Sequence, residues 1–429
     1  MKFIIFFTIF FFQQANALDF KKLETESGIN FWFVKDKSIP IVSVSFSFRG
    51  GSSLDSQNQQ GISNLMTSLM DEGTRNLSST EFKKEMKMIG MKLNFSSQKD
   101  KINGNFQIIS SEVEKGFNLF YEALNFPDFK LEDIERTKKQ IIASIKIDDS
   151  DLSTLASNKF NENFFKNHKF SKTTKGSISS LNKIKRNDLI SFHKIAFQKS
   201  NLVIGVAGNI NEEKIKKFVG LVFGELTNIK DIPKLKKFET LGKGKKIFNL
   251  STPQTSVLFG HPGLARNDEE YFSLRIANYV FGGGGFQSRL YKRIREKKGL
   301  VYSIYSYLLS YQSDGVIVGG FQTRNEYVYE TISNVKDEWK KIKNKGISKT
   351  ELNNAKAYFN GSFTRNFTST LSISGLLEVV QYYNLGEDYF QKRETIINNL
   401  DLKKVNKVLS DIFDNDKLFF MIVGEPKEE

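Results

Sequence analysis

The stretch GGGGFQSRLYKRIREKKGLVYSIY, residues 282–305, sets the reading of the whole chain. Gly282, Gly283, Gly284 and Gly285 open it, and a short amphipathic run follows in which Leu290 and Ile294 share one helical face among basic residues. Gly299 stands where a helix stops, and residues 301–305 alternate as a strand does. The spacing predicts loop, helix, glycine stop and strand, with Arg295 at the helix end and Tyr302 early in the strand. A glycine loop first suggests an anion cradle, because bare backbone N–H groups bind phosphate. The spacing speaks against it: no G-x-x-x-x-G-K-[ST] is present, and Ser288 takes the place of the last glycine in G-x-G-x-x-G. Glycines also let a backbone approach another chain closely.

Just upstream, residues 255–259 read as a strand, and a helix over 268–280 runs into the glycines. The first half has the same grammar. Strands are predicted over 29–34 and 41–48; in the second, Val42, Val44, Phe46 and Phe48 point one way and Ser43, Ser45 and Ser47 the other. A turn at Arg49, Gly50, Gly51 and Ser52 leads to a helix over 61–70, carrying Ile62, Leu65, Met66, Leu69 and Met70 on one face and stopped by Gly73. Further helices fit 79–88, 111–124, 131–147, 152–163 and 188–196, with a strand pair inside 92–109 and a strand over 201–207 ending at Gly208. Phe197, Leu202 and Gly208 return as Phe413, Leu418 and Gly424, each 216 positions later. A repeat of that length is a duplicated domain and not a solenoid, whose periods run about 20–50 residues. Between the copies, 228–246 is rich in Lys and Gly, carries Pro233 and has no sustained period, which reads as a linker. The predicted fold is α+β: two duplicated domains, 18–227 and 247–429, each a largely antiparallel sheet with helices packed on one face.

At the N-terminus, Lys2, the apolar residues 3–12 and Ala15-Asn16-Ala17 form a secretory signal, 1–17, cut before Leu18. The apolar run is too short to span a bilayer, so export without a transmembrane anchor is expected, to the periplasm if the organism is Gram-negative. There is no cysteine, which excludes disulfides, thiolate metal sites and a Cys nucleophile. The formal net charge is +15, one less once Lys2 leaves with the signal. Lysine is spread along the whole chain and so reads as compositional bias; no nucleic-acid partner is expected.

Taken in order, these segments resemble the pitrilysin/insulinase peptidases, zinc enzymes built from duplicated α+β domains. Gly61 to Gly73-Thr74 is similar to the family's zinc helix. Gly176, Leu181, Asp188-Leu189, Phe192, Asn201 and Val206-Ala-Gly208 resemble the close of its first domain. The 282–302 stretch resembles the glycine loop and Arg/Tyr segment of its second. The family's chemistry needs H-x-x-E-H on the first helix, two His holding Zn²⁺ and a Glu acting as base on the bound water, with a further Glu on a later helix. Aligned on Gly61 and Gly73, the three positions fall on Asn64, Thr67 and Ser68, neutral side chains that are poor zinc ligands and no base. The later Glu would fall within 140–146, QIIASIK, which has no carboxylate. The resemblance therefore implies a chain with no metal or cofactor of its own. Its Arg295, Tyr302 and Gly282–Gly285 would hold a peptide, while a partner subunit bearing H-x-x-E-H supplies zinc. A guanidinium and a phenol donate to a peptide carbonyl and to the oxyanion that develops from it.

Other chemistries find less support. His168, His193 and His261 have no helical partner at i+4, His193 reading as a surface or boundary residue and His261 as a turn position before Pro262. Asp148, Asp149 and Asp151 read as a solvated turn. No G-x-S-x-G occurs, and Ser180-Leu-Asn-Lys183 matches S-x-x-K without its companion motifs. Three alternatives stay open: a non-proteolytic scaffold of the same fold, a peptidase with unorthodox metal ligands, and anion or nucleotide binding at the glycine loop.

Overall fold

The computed structural model describes residues 18–427 except 229, 230, 234 and 240; the leader expected over 1–17 lies outside them. Two sheets carry the architecture. The first is built from β1 (Lys21–Glu24), β2 (Asn30–Lys35), β3 (Ile41–Arg49), β4 (Lys92–Ser97), β5 (Lys101–Ile109) and β6 (Leu202–Gly208), in the order β1-β2-β6-β3-β5-β4. The second takes β7 (Gly244–Asn249), β8 (Gln254–Pro262), β9 (Ile304–Ser310), β10 (Gly315–Arg324) and β11 (Phe419–Gly424), in the order β7-β11-β8-β10-β9. Apart from β1 the two orders are the same. In each sheet one pair is parallel, β2 with β6 and β7 with β11, and the other pairs are antiparallel. The 216-residue echo is physical: Gly208 and Gly424 end equivalent strands at φ 147° and 146°. A Cβ there would lie 2.3 Å from Ile41 O or Thr255 Oγ1, so both positions require glycine.

Each half's own helices pack on one face of its sheet. In the first, the apolar side of β3 meets helices Val113–Asn125 and Glu212–Phe223, with Phe46 and Phe120 rings 5.2 Å apart and Phe117 stacked on Phe218 at 4.9 Å. In the second, Val257, Phe259, Phe420 and Ile422 meet Trp339, Leu409 and Phe413.

The opposite faces are covered by exchange. Helix Thr370–Tyr382, from the second half, lies on β3 and β6 of the first sheet, and helix Leu152–Phe164, from the first half, lies on β8 and β11 of the second. The serines of β3 are thus buried: Ser43 Oγ bonds Thr370 Oγ1 and Ser45 Oγ bonds Ser374 Oγ, each at 2.8 Å, and Ser47 donates to Glu378. Gly205 of β6 admits the helix backbone, since a Cβ would sit 2.2 Å from Ser374 O. On the second sheet Phe160 and Phe164 pack on Phe419, Met421 and Val423.

Two segments differ from expectation. β7 begins at Gly244, inside the 228–246 stretch; its mostly exposed, Lys-rich strand has no hydropathy signal and is specified by its register on β11. Residues 301–303 are not strand, and β9 starts at Ile304, where pairing with Phe321 begins.

Candidate functional site: a cleft carrying the Arg/Tyr pair

The helix Tyr271–Asn278 continues into a wider turn over Tyr279–Gly283, closed by Gly284 N donating to Tyr279 O at 2.8 Å. Gly282 and Gly283 therefore belong to a helix end and not to an open loop. A Cβ on Gly282 would lie 2.5 Å from Ser306 Oγ, so the glycine is needed for packing against β9. Gly285, at φ 56°, has open space beside its Cα and alone of the four combines a left-handed backbone with freedom from contacts. A second wide helical segment, Tyr291–Lys297, follows and is closed at Gly299 (φ 64°), whose N–H donates to Arg295 O at 3.2 Å.

This closure places Arg295 and Tyr302 on one cleft of about 780 Å³. Its walls are the 299–303 turn, strands β8 and β10 through Gln254 and Gln322, and the exchanged helix through Ser153 and Ser157. Gln322 Nε2 donates to Ser153 Oγ at 2.7 Å, tying the two halves together across the cleft. Neighbouring arginines are engaged: Arg289 forks onto Glu351 at 2.7 Å, and Arg293 meets Asp337 at 3.0 Å and Glu338 at 3.1 Å. Arg295 has no acidic partner among the described residues and only the Tyr291 ring beneath it, 5.9 Å away. Tyr302, expected in a strand, stands in the turn before β9 and is 88 % exposed. Two polar side chains are thus held at one cleft with their donors uncommitted. The glycines are elsewhere: Gly283 lines a separate cavity with Asn278, Tyr279 and Ser306. The contribution of Ser153 and Ser157, one helical turn apart on a helix from the other half, has no signal in the 282–305 stretch.

The three positions expected to answer to the zinc motif, Asn64, Thr67 and Ser68, lie on helix Ile62–Thr67 and at its C-cap, Ser68. Asp55 sets the start of that helix by accepting from Gly61 N at 2.8 Å and Ser63 N at 3.3 Å; burial pushes its carboxyl up to about 7. Thr67 Oγ1 donates to Ser63 O and Asn64 O, and Ser68 Oγ donates to Asn64 O at 2.9 Å. Both hydroxyls are spent on their own helix backbone, and the donor set has neither imidazole nor carboxylate. It does not fit zinc. In the 140–146 stretch, Ser144 accepts from Lys175 Nζ, which also pairs with Asp148, each at 2.6 Å, so a cation already stands beside it. Asp148 is therefore helical and ion-paired, and Asp151 caps helix Leu152–Phe164 through Thr154 N; the acidic run is not a plain solvated turn.

His261 also departs from its reading as a turn residue. It lies inside β8, 1 % exposed, against Trp339 and Phe413. Its Nδ1 donates to Pro262 O at 2.7 Å and its Nε2 accepts from Asp414 N at 3.2 Å, the pattern of a neutral ring. Burial pulls its pKa down to about 4. His193 bonds Leu124 O at 2.7 Å between Phe129 and Phe197, and burial lowers it to about 4 as well. Among the described residues no three His, Cys, Asp or Glu side chains cluster as metal ligands do.

Two family models match the chain in tandem: the insulinase domain of peptidase family M16 over residues 32–177, and the peptidase M16 inactive domain over 183–359. The chain belongs to the M16 family. Among M16 relatives, it is 26 % identical to the non-peptidase homolog YmxG of Helicobacter pylori, over 98 % of this chain and 97 % of that one. It is 24 % identical to an uncharacterized zinc protease, YmxG, of Bacillus subtilis, over 94 % and 98 %. Of solved structures, a peptidase M16 inactive domain from Pseudomonas fluorescens superposes with a TM-score of 0.88 at 25 % identity, covering 96 % of this chain and 99 % of that one. A Helicobacter pylori protease superposes with 0.86 at 17 %, covering 95 % and 100 %. The match to the M16 inactive domain and the likeness to a non-peptidase homolog support a non-catalytic member with the pitrilysin fold.

Proposed function

We propose that this chain is the substrate-holding subunit of an exported zinc peptidase, periplasmic in a Gram-negative cell, whose partner carries H-x-x-E-H and the metal. The observation that carries the reading is the Arg295–Tyr302 cleft: two donors with no competing partner among the described residues, on a protein whose Thr67 and Ser68 hydroxyls are bonded to their own helix backbone. A peptide lying across the cleft would receive the guanidinium and phenol on its carbonyl oxygens, and both bonds strengthen as the carbonyl becomes an oxyanion on the partner's metal side. The glycine run enters this reading as the support of β9, with Gly285 as the one position open to a peptide backbone.

The test is to assay the mature chain alone and together with an H-x-x-E-H subunit from the same organism. The expected result is no zinc and no peptidase activity alone, then one zinc per pair with activity. Arg295→Ala should lower kcat/KM by about 10²-fold, the scale of a lost oxyanion donor, and Tyr302→Phe should act in the same direction. A stable pair whose activity ignores both substitutions would make the chain a scaffold. Zinc and activity in this chain alone would overturn the reading of Asn64, Thr67 and Ser68.

A further inference from the structure

Away from that cleft, Arg266, Arg275 and Arg393 converge on a cavity of about 480 Å³ between the two halves. Elsewhere in the chain Arg75, Arg136, Arg289 and Arg293 each meet a carboxylate at 3.0 Å or less. None of the three converging arginines has an acidic partner among the described residues. Their guanidinium carbons rest on rings: Arg266 4.1 Å from the Tyr271 centroid, Arg275 4.7 Å from Phe359, and Arg393 4.0 Å from Phe363. Arg266 donates to Tyr389 Oη at 2.7 Å and Arg393 to Phe359 O at 2.9 Å. A guanidinium has five N–H donors, so most of their hydrogen-bonding capacity is unspent.

Arg393 is only 4 % exposed, and a cation buried without a counter-charge is costly. Burial, and then the fields of Arg275 and Arg266, hold its pKa below that of a free guanidinium, which places all three within electrostatic reach of one another. The one carboxylate lining the cavity, Glu378, is already matched by Lys101 at 3.2 Å and by the Ser47 hydroxyl. Asn105 lines the same wall; its Oδ1 accepts from Ser45 Oγ, and its amide N–H groups have no partner among the described residues. The wall therefore offers guanidinium and amide donors and a net positive charge.

We infer that this cavity binds a compact, doubly charged oxyanion of the phosphate class, free or as a phosphate monoester, held by Arg266, Arg275 and Arg393. Three fixed cations beside a self-neutralised Lys–Glu pair favour a dianion over a single carboxylate. Planar guanidinium forks pre-set on aromatic faces match tetrahedral oxygens in pairs. The volume, within the range of about 300–1,000 Å³ typical of small-ligand sites, exceeds what a bare ion needs and leaves room for an ester group. Because β5 and helix Thr370–Tyr382 form one wall and the helices around Phe359 and Tyr389 the other, an occupant would brace the two halves against each other.

Isothermal titration calorimetry and thermal unfolding of the mature chain test this, with inorganic phosphate and O-phosphoserine as probes against chloride at equal ionic strength. Saturable binding and a saturable rise in Tm are expected. Arg266→Gln and Arg275→Gln, at half-exposed positions whose loss leaves the core intact, should each weaken affinity about tenfold or more. Arg324→Gln, on the other cleft, should leave it unchanged. Tighter binding of O-phosphoserine would assign the site to an ester, and equal or tighter binding of inorganic phosphate to the free ion. No saturable binding of either probe, or binding indifferent to both Arg266→Gln and Arg275→Gln, would overturn the assignment and leave the arginines as stacking residues.

Discussion

At the scale of single residues, the sequence marks which side chains are unusual but not what surrounds them. His261 reads as a turn residue because Pro262 follows it, yet β8 runs through both and Trp339, 78 positions on, closes over the ring. Its burial makes a pH prediction with a definite sign. The folded pKa of about 4 lies below the 6.5 of a free imidazole, so the unfolded chain binds the proton more readily. Stability from this residue is complete above pH 6.5 and is lost as pH falls towards 4, by about 3 kcal/mol over the window. His261→Gln should be less stable than the parent at pH 7, and the gap should narrow by about that amount by pH 4, read by urea unfolding at each pH. A gap that stays constant with pH would mean that the ring is open to protonation in the fold. Arg295 shows the converse limit. Its residue type and place were legible from the 282–305 stretch, whereas its lack of an acidic partner among the described residues, when Arg289 and Arg293 both have one, is decided by the fold.

At the scale of elements, the alternation of β3 was legible in full and its meaning only in half. Val42, Val44, Phe46 and Phe48 face the core as their period requires, but the period is silent on what lies over the serine face, which helix Thr370–Tyr382 roofs. Nothing local to β3 encodes that, since the partners lie more than three hundred positions downstream. The roof is polar, and its ion pair is its most sensitive joint. Glu378 and Lys101 are 7 % and 12 % exposed, so removing one charge leaves the other buried without compensation. Glu378→Ala should therefore cost about 3 kcal/mol, seen as a lower urea midpoint at unchanged m-value. The double variant Glu378→Ala with Lys101→Met should recover much of the loss, because the stranded ammonium is gone. A loss under about 1 kcal/mol in the single variant would place the pair in water and refute the roofed face. The shift of β9 from 301 to 304 has the same kind of cause: Tyr302 alternates correctly, but its neighbours on β10 begin only at Phe321, so pairing and not period sets the strand's start.

At the scale of the whole molecule, the duplication was visible as a 216-residue echo, but a duplication alone describes two beads on a string. Chains of this size commonly unfold domain by domain. The exchanged helices argue otherwise here. Without Thr370–Tyr382 the first sheet would expose Ser43, Ser45, Ser47 and the backbone at Gly205; without Leu152–Phe164 the second would expose Phe419, Met421 and Val423. The expected linker adds to the lock, for Gly242 N donates to Phe164 O and Phe238 N to Asp314. Neither half can then lose its fold and leave the other's sheet covered. The chain's two tryptophans make this measurable, since Trp32 lies on β2 of the first sheet and Trp339 in the core of the second. In Trp32→Phe the remaining fluorescence reports the second half, in Trp339→Phe the seam where Trp32 of the first sheet packs against the second half's core, while far-UV circular dichroism reports both. Within each variant the two probes should give one coincident urea transition, even though Trp339→Phe shifts its midpoint down. Residues 18–227 expressed alone should lack a cooperative transition, because their sheet is missing its second layer. A biphasic dichroism curve with fluorescence following a single phase would mean that the exchanged helices contribute little to coupling, and that the halves move as separate bodies around the cleft between them.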